Sequence, residues 1–207
     1  SADLTGSYAR VRVRCAHFLI GDELRRDAMS GQCSPVATVR SACFDDVAAM
    51  AAIKANGWAT TYSGLVPDDV LARFTDVDAH RTTIGAAIGD SFVVVLVATL
   101  GDDTVGFGLC RWNDPEGGYL DSLHVLPELR GRGVGLHLLR SIAGELHERG
   151  VASLQLHVVE GNAGAGRFYE RHGAHLVGST PAAWATSVTE LVYRWSSLRA
   201  LLGGSID

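Results

Sequence analysis

The apolar positions change period several times along the chain. Tyr8–Cys15 alternates arginine with valine, a period of two that reads as a strand. A charged, helix-like turn around Asp22–Asp27 and a Gly/Ser/Pro break at Ser30–Pro35 follow. Residues 1–35 therefore read as an N-terminal extension of a domain that covers 36–207. From Val36 the pattern is regular. Val36–Ala42 reads as a strand, and Asp45 and Asp46 precede an apolar-periodic helix to Ala55. Acids at its start suit the macrodipole, and Asn56-Gly57 should end it. Asp68 to Phe74 predicts a short helix after Pro67. Ser91–Leu100 is a continuous, largely β-branched run, as expected of a strand buried on both faces. Gly101-Asp102-Asp103 turns it back into a second strand, Thr104–Trp112.

After a loop at 113–118, Tyr119–Leu126 reads as a strand stopped by Pro127. Val134–Arg149 is the clearest helix: Val134, Leu138, Leu139, Ile142 and Leu146 form one stripe, and Gly150 stands where a C-cap belongs. Ala152–Val159 is a strand and Ala163–His172 a helix closed by Gly173. Ala174–Val177 and Val188–Trp195 are two more strands around a loop at Ser179–Thr186. This order predicts a mixed sheet with helices on its faces, an α+β fold of the α/β sandwich kind.

Composition narrows the function classes. The chain has 207 residues, 47% hydrophobic and 20% charged, enough to bury a core without staples. A net charge of −5 carries no general nucleic-acid footprint, so no nucleic-acid partner is expected. Of 18 basic residues only Lys54 is a lysine, which reads as the codon bias of a GC-rich genome. Cys15, Cys33, Cys43 and Cys110 are scattered without a CxxC pair, so neither a disulfide framework nor a zinc cluster is expected and a reducing, cytoplasmic setting is the default. The longest apolar run, Phe92–Leu100, is too short for a bilayer, and no membrane partner is expected. The extension reads as an added strand, an oligomer arm that would make a homodimer, or partly vector-derived sequence. Arg10, Arg12 and Arg14 lie on one face of it.

The chemistry concentrates in Arg130-Gly131-Arg132-Gly133-Val134-Gly135, where a strand hands over to the long helix. A helix start has unpaired N–H groups and the positive end of the dipole, and glycines let a phosphate approach the backbone. A Walker loop needs Gly-Lys-Ser/Thr and the dinucleotide fingerprint needs GxGxxG, and neither is present here. The pattern Arg-x-x-Gly-x-Gly resembles the acyl-CoA pyrophosphate loop of the GNAT superfamily of N-acetyltransferases. Asn162-x-x-Ala165-x-x-Phe168-Tyr169-Glu170-Arg171-x-Gly173 resembles that family's next motif, with Gly173-Ala174 in place of the usual Gly-Phe. Val105-Gly106-Phe107 and Trp58-x-x-x-Tyr62-x-Gly64-Leu65-Val66-Pro67 resemble its third strand and first helix–loop–helix. The resemblance covers roughly Val36 to Trp195.

The resemblance implies a mostly antiparallel mixed sheet in which strands Tyr119–Leu126 and Ala152–Val159 are parallel neighbours that splay apart. Acetyl-CoA would be the cosubstrate, with no metal. Its contacts would be Leu123, His124 and Val125 on the strand, then Arg130, Gly131, Arg132, Gly133, Val134, Gly135 and Leu136, and finally Asn162 and Tyr169. The Val125 N–H would serve the developing oxyanion, and Tyr169 would protonate the leaving thiolate. Strand alternation places Tyr119, Asp121, Leu123 and Val125 on one face and Leu120, Ser122 and His124 on the other. The family places a carboxylate or histidine at the position of Tyr119 or Asp121, and Tyr119 is a poor base, so the resemblance implies Asp121 as first choice for the general base, with Glu116 in the adjoining loop the second. Trp58, Tyr62 and Trp184 would wall the acceptor pocket, or else pack in the core. His172 and His175 have a ligand-like interval interrupted by Gly173 at the helix end, and there is no HExxH or GxSxG. The implied activity is an acetyl-CoA-dependent N-acetyltransferase acting on a primary amine of a small molecule. A non-catalytic acyl-CoA-binding module, or an enzyme acting on protein N-termini or lysines with a peptide amine as acceptor, are the alternatives.

Overall fold

The computed structural model describes residues 37–114 and 117–203. The extension 1–35 and Glu116 lie outside the described residues. A seven-stranded sheet runs β1 (Thr38–Ser41), β2 (Val93–Leu100), β3 (Asp103–Asp114), β4 (Gly117–Val125), β5 (Ser153–Val159), β7 (Ala185–Trp195), β6 (His175–Ala182) in spatial order. Helices α1 (Val47–Tyr62), α2 (Asp68–Phe74) and α3 (Val77–Ala87) stand between β1 and β2 in the chain. Then α4 (Val134–Glu148) links β4 to β5, α5 (Ala163–Arg171) links β5 to β6, and α6 (Arg199–Leu202) follows β7. All neighbouring strands are antiparallel except β4 and β5. This is the mixed α+β architecture that the order of elements predicts.

The apolar stripe of α4 is buried as its period requires: Leu138, Leu139, Ile142 and Leu146 are 0% exposed. Glycine lets it lie close to the sheet, since a Cβ on Gly108 would stand 2.5 Å from Ile142 Cδ1. On the opposite face, Met50, Ile53 and Ile84 from α1 and α3 pack on Val95, Val97 and Phe107. Strand β2 is thus covered on both sides, as its unbroken apolar run predicts.

Asp46 organises the entry to α1. Its carboxylate accepts from Arg40 Nη1 and Nη2 at 2.7 and 2.8 Å, from Cys43 N at 2.9 Å and from Thr104 Oγ1 at 3.2 Å. Burial alone would raise its pKa. The Arg40 and Cys43 bonds outweigh that and hold it at about 2.

Four expectations are corrected. Helix α1 does not stop at Asn56-Gly57 but continues to Tyr62. Gly57 is there for proximity: a Cβ would stand 2.8 Å from His124 Nδ1. Helix α3 was not expected, although Asp76 caps it by accepting from Asp78 N and Ala79 N. The loop at Ser179–Thr186 is mostly strand, with Ala183 and Trp184 between β6 and β7. The strict alternation of β4 is also broken. Leu109 pairs with Ser122 and Cys110 with Leu120, so Asp121 is an extra residue in a bulge. Beyond it the parity reverses. Asp121, Ser122 and His124 meet α1, while Leu123 and Val125 meet the side chains under α4.

Candidate active site

Strands β4 and β5 pair only at their starts: Gly117 with Ser153, Gly118 with Leu154, Tyr119 with Gln155. Beyond Tyr119 they separate. Leu126 N donates to Val105 O at 2.9 Å, which makes Leu126–Val105 a bonded pair of the β3–β4 ladder. Ladder bonds alternate, so the backbone N–H and C=O of Leu123 and Val125 turn away from β3 and into the opened gap. A cavity of about 580 Å³ occupies it.

The turn Pro127–Leu129 and the glycines after it carry the chain from β4 into α4. Gly131 and Gly133 have φ of +74° and +87°, a left-handed backbone that side chains rarely adopt. Gly133 is the N-cap and no side chain caps this end. The first intrahelical bond is His137 N to Gly133 O at 2.9 Å, so the N–H groups of Val134, Gly135 and Leu136 precede the ladder. Added Cβ atoms at Gly131 and Gly133 would meet nothing within 4 Å. Their glycines are therefore required by conformation, not by crowding. Arg130 Nε donates to Val125 O at 3.3 Å and ties the loop to the strand.

The gap brings most of the expected residues together. Leu123, His124, Val125, Arg130, Gly131 and Gly133 line one side of the cavity, with Gly135 and Leu136. Asn162 and Tyr169 line the other. Asn162 caps α5 by accepting from Ala165 N at 3.2 Å, and its Nδ2 donates to the Tyr62 hydroxyl at 3.3 Å. Tyr62 lines the cavity as well. Arg132 is exposed and Val134 packs inward, so neither side chain reaches it. Trp58 and Trp184 sit in an aromatic cluster, and Trp58 also packs on Tyr62, which lines the cavity. Trp58 stacks on Phe74 at 4.0 Å and meets Trp184 edge-on at 5.6 Å, which pins the helix pair to the β6–β7 turn.

The electrostatics separate the titratable groups. Burial raises the Tyr169 phenol above its usual value, and nearby Tyr62 adds to that, so it remains a proton donor. Burial, with Lys54 and Arg130 close by, lowers His124 to about 3 and keeps its ring neutral beside Phe107. Asp121 is engaged elsewhere: Lys54 Nζ lies 3.7 Å from its Oδ2, and Ser122 Oγ donates to the same oxygen at 3.0 Å.

Sequence reasoning missed one arrangement. His157 on β5 lines the same cavity as Tyr169. Its Nδ1 lies 3.1 Å from Glu190 Oε2 on β7, and Gln155 Nε2 lies 3.4 Å from its Nε2. A carboxylate only accepts, so Nδ1 carries the proton, and Nε2 keeps its lone pair, to which Gln155 Nε2 donates. Trp184 Nε1 donates to Glu190 Oε1 at 3.1 Å and fixes the carboxylate in turn. The polar members of Leu154-Gln155-Leu156-His157-Val158 were legible as one face of a strand. Glu190 enters only through the β5–β7 pairing.

The profile of the Acetyltransferase (GNAT) family matches residues 46–174, more than half of the chain. The chain belongs to the GNAT family. It is thus an acyltransferase that uses acetyl-CoA. No curated protein matches the chain significantly. Solved structures share the fold. The PaiA N-acetyltransferase of Thermoplasma acidophilum, in complex with coenzyme A, aligns with a TM-score of 0.65 at 15% identity, covering 77% of this chain and 98% of that one. YncA of Salmonella typhimurium, with its cofactor acetyl-CoA, aligns at 0.61 and 20%, covering 79% and 94%. The ribosomal-protein-alanine N-acetyltransferase of Brucella melitensis aligns at 0.62 and 22%, covering 76% and 98%. Among the described residues no helix is long and apolar enough to cross a membrane.

Proposed function

We propose that this GNAT protein transfers the acetyl group of acetyl-CoA to the primary amine of a small molecule, with His157 as general base and Tyr169 as general acid. The observation that carries the reading is the His157–Glu190 pair, whose ring lines the same opened gap as the Tyr169 side chain. The pyrophosphate would lie on the N–H groups of Val134, Gly135 and Leu136, beside Arg130, and the pantetheine arm along Leu123 and Val125. Residues 36–207 would form the catalytic domain. A chain begun at Ser34 should then still fold and bind acetyl-CoA, and an unfolded product would move that boundary.

The amine lone pair bonds to the thioester carbon and the carbon–sulfur bond breaks. His157 Nε2 takes the proton that the amine loses, with Glu190 balancing the imidazolium charge. The Val125 N–H, directed into the gap, donates to the carbonyl oxygen as negative charge builds there. Tyr169 gives its proton to the departing sulfur. The desolvation that lifts the phenol also raises the proton affinity of the thiolate, so the transfer stays near balance. Solvent then carries the proton from His157 back to the phenolate.

The aromatic cluster supports a small acceptor. Trp58, Phe74 and Trp184 join the first helices to the β6–β7 turn, and Arg73 Nη2 donates to Trp184 O at 3.3 Å across that junction. An acceptor lying against this junction would have its passage narrowed, which suits a small amine better than an extended peptide. Thiol release from acetyl-CoA, followed with amines of increasing size, tests the reading. Turnover confined to peptides and protein N-termini would replace the small-molecule acceptor, and turnover with no amine at all would leave an acyl-CoA-binding module.

A further inference from the structure

A second cavity, of about 560 Å³, lies at the paired end of β4 and β5, on the other side of Tyr119 and Gln155 from the gap. One cross-strand row supplies much of its floor. Arg111 on β3 is opposite Tyr119 on β4, Tyr119 is opposite Gln155 on β5, and Gln155 is opposite Arg194 on β7. Residues directly opposite one another share a face, so these four side chains stand side by side, with an arginine at each end. The arginines are three strand spacings apart, about 14 Å between backbones. Phe92 and Trp112, one residue out of step with that row, border the cavity from the other face of the sheet, their rings 5.4 Å apart.

Among the described residues the lining carries two arginines and one acid. Both arginines are exposed, and among the described residues neither is ion-paired with a carboxylate. Arg194 Nη2 donates to Ser153 Oγ at 3.4 Å. Asp90 is the acid on the wall, and its Oδ1 already accepts from Phe92 N at 2.9 Å. The Lys54 charge is answered by Asp121 and the His157 ring by Glu190, outside this cavity. The two cavities meet at one point: Tyr119 and Gln155 line the second, and both touch His157, which lines the first. The Tyr119 and His157 rings are 5.3 Å apart, and Gln155 Nε2 is 3.4 Å from His157 Nε2.

We infer that this cavity holds a carboxylate of the acceptor, so that the substrate is an amino acid or a related amino-carboxylic acid. The inference rests on the transferase reading above and names the acceptor class. An amine at His157 Nε2 is one strand step of two residues from the arginine row, about 7 Å. A carboxylate at that distance from the amine reaches Tyr119 and Gln155, between the two arginine stems, and the guanidinium groups would swing in from either side to bind it by charge-assisted, directional hydrogen bonds. A flat or apolar body between the two ends would lie against Tyr119.

The test uses the full chain and a matched pair of rigid acceptors: 4-(aminomethyl)benzoate and its neutral isostere 4-(aminomethyl)benzamide. The expected result is a kcat/KM at least about tenfold higher for the carboxylate. That preference should collapse toward one in Arg111→Gln/Arg194→Gln, and return in part with lysine at both positions. The KM for acetyl-CoA reports that the variants are folded. Equal use of the two acceptors by the wild type, or a preference that survives the double substitution, overturns the inference while leaving the transferase intact. If neither acceptor is turned over, calorimetry with the product analogue 4-(acetamidomethyl)benzoate decides. Binding that depends on the two arginines keeps the carboxylate site and removes the amine placement at His157, whereas absence of binding removes the site.

Discussion

His157 Nδ1 and Glu190 Oε2 stand 3.1 Å apart across the β5–β7 pair, on the wall of the gap that opens between β4 and β5. The pair couples a proton acceptor to a fixed carboxylate, the arrangement that lets an imidazole take a proton without a large reorganisation. His157→Ala should lower acetyl transfer by about 10²-fold near neutral pH and recover part of it at high pH, where the amine deprotonates unaided. Glu190→Gln should cost less, about tenfold, because Nε2 survives but loses its counter-charge. Rates measured from pH 6 to 10 check both. If Asp121→Asn shows the loss and the alkaline recovery while His157→Ala does not, the base is Asp121.

Tyr169 is held by its neighbours rather than by the reaction. Its ring meets Trp195 edge-on at 5.9 Å and Phe168 at 5.1 Å. Tyr169→Phe keeps these contacts and removes the donor. Turnover should fall about 10²-fold with acetyl-CoA affinity and melting temperature nearly unchanged. Single-turnover transfer at the wild-type rate would refute the acid role.

The phosphate loop makes a binding prediction. Gly133 has a φ of +87° and opens onto the cavity. Gly133→Asp adds backbone strain of about 1 kcal/mol and a negative charge at the proposed pyrophosphate position. Acetyl-CoA should raise the melting temperature of the wild type by mass action and leave this variant unshifted. A wild type that shows no shift at millimolar acetyl-CoA would remove the loop from the site.

Asp46 makes a prediction about stability and pH. Its carboxyl is held at about 2, below the unfolded value of about 3.9. A lowered carboxylate pKa stabilises the fold above the unfolded value, and that contribution is lost as pH falls from about 4 toward 2. Arg40 is half exposed, so solvent screening reduces the pair to about 1–2 kcal/mol. Asp46→Asn should be destabilised by about that amount at pH 7 and should converge with the wild type near pH 2. Urea unfolding at both pH values checks the sign. A constant difference across that range would mean that the carboxylate charge contributes nothing.

What the linear sequence determined is local. The α4 stripe repeats at helical spacing, the β2 run is apolar throughout, and glycines alternate at the strand-to-helix junction. Each is a short-range pattern whose physical cause acts within a few residues. From these alone the sheet, its flanking helices and the glycine-rich start of α4 were legible, and the resemblance of that segment and of Asn162–Gly173 to one family pointed to the splayed strands. Tertiary structure decided the rest because the forces involved act between distant segments. Gly57 reads as a helix breaker until His124, sixty-seven positions away, is brought against it. Asp121 reads as one member of an alternating face until the β3 register makes it a bulge and Lys54 claims its charge. Trp58 and Trp184 read as pocket walls or as core, and only the fold brings Phe74 against both. His157 has no partner in its own neighbourhood, and Glu190 reaches it only when β7 pairs with β5. A proton acceptor becomes a base through its orientation and counter-charge, and both are set by packing across the sheet rather than by spacing along the chain.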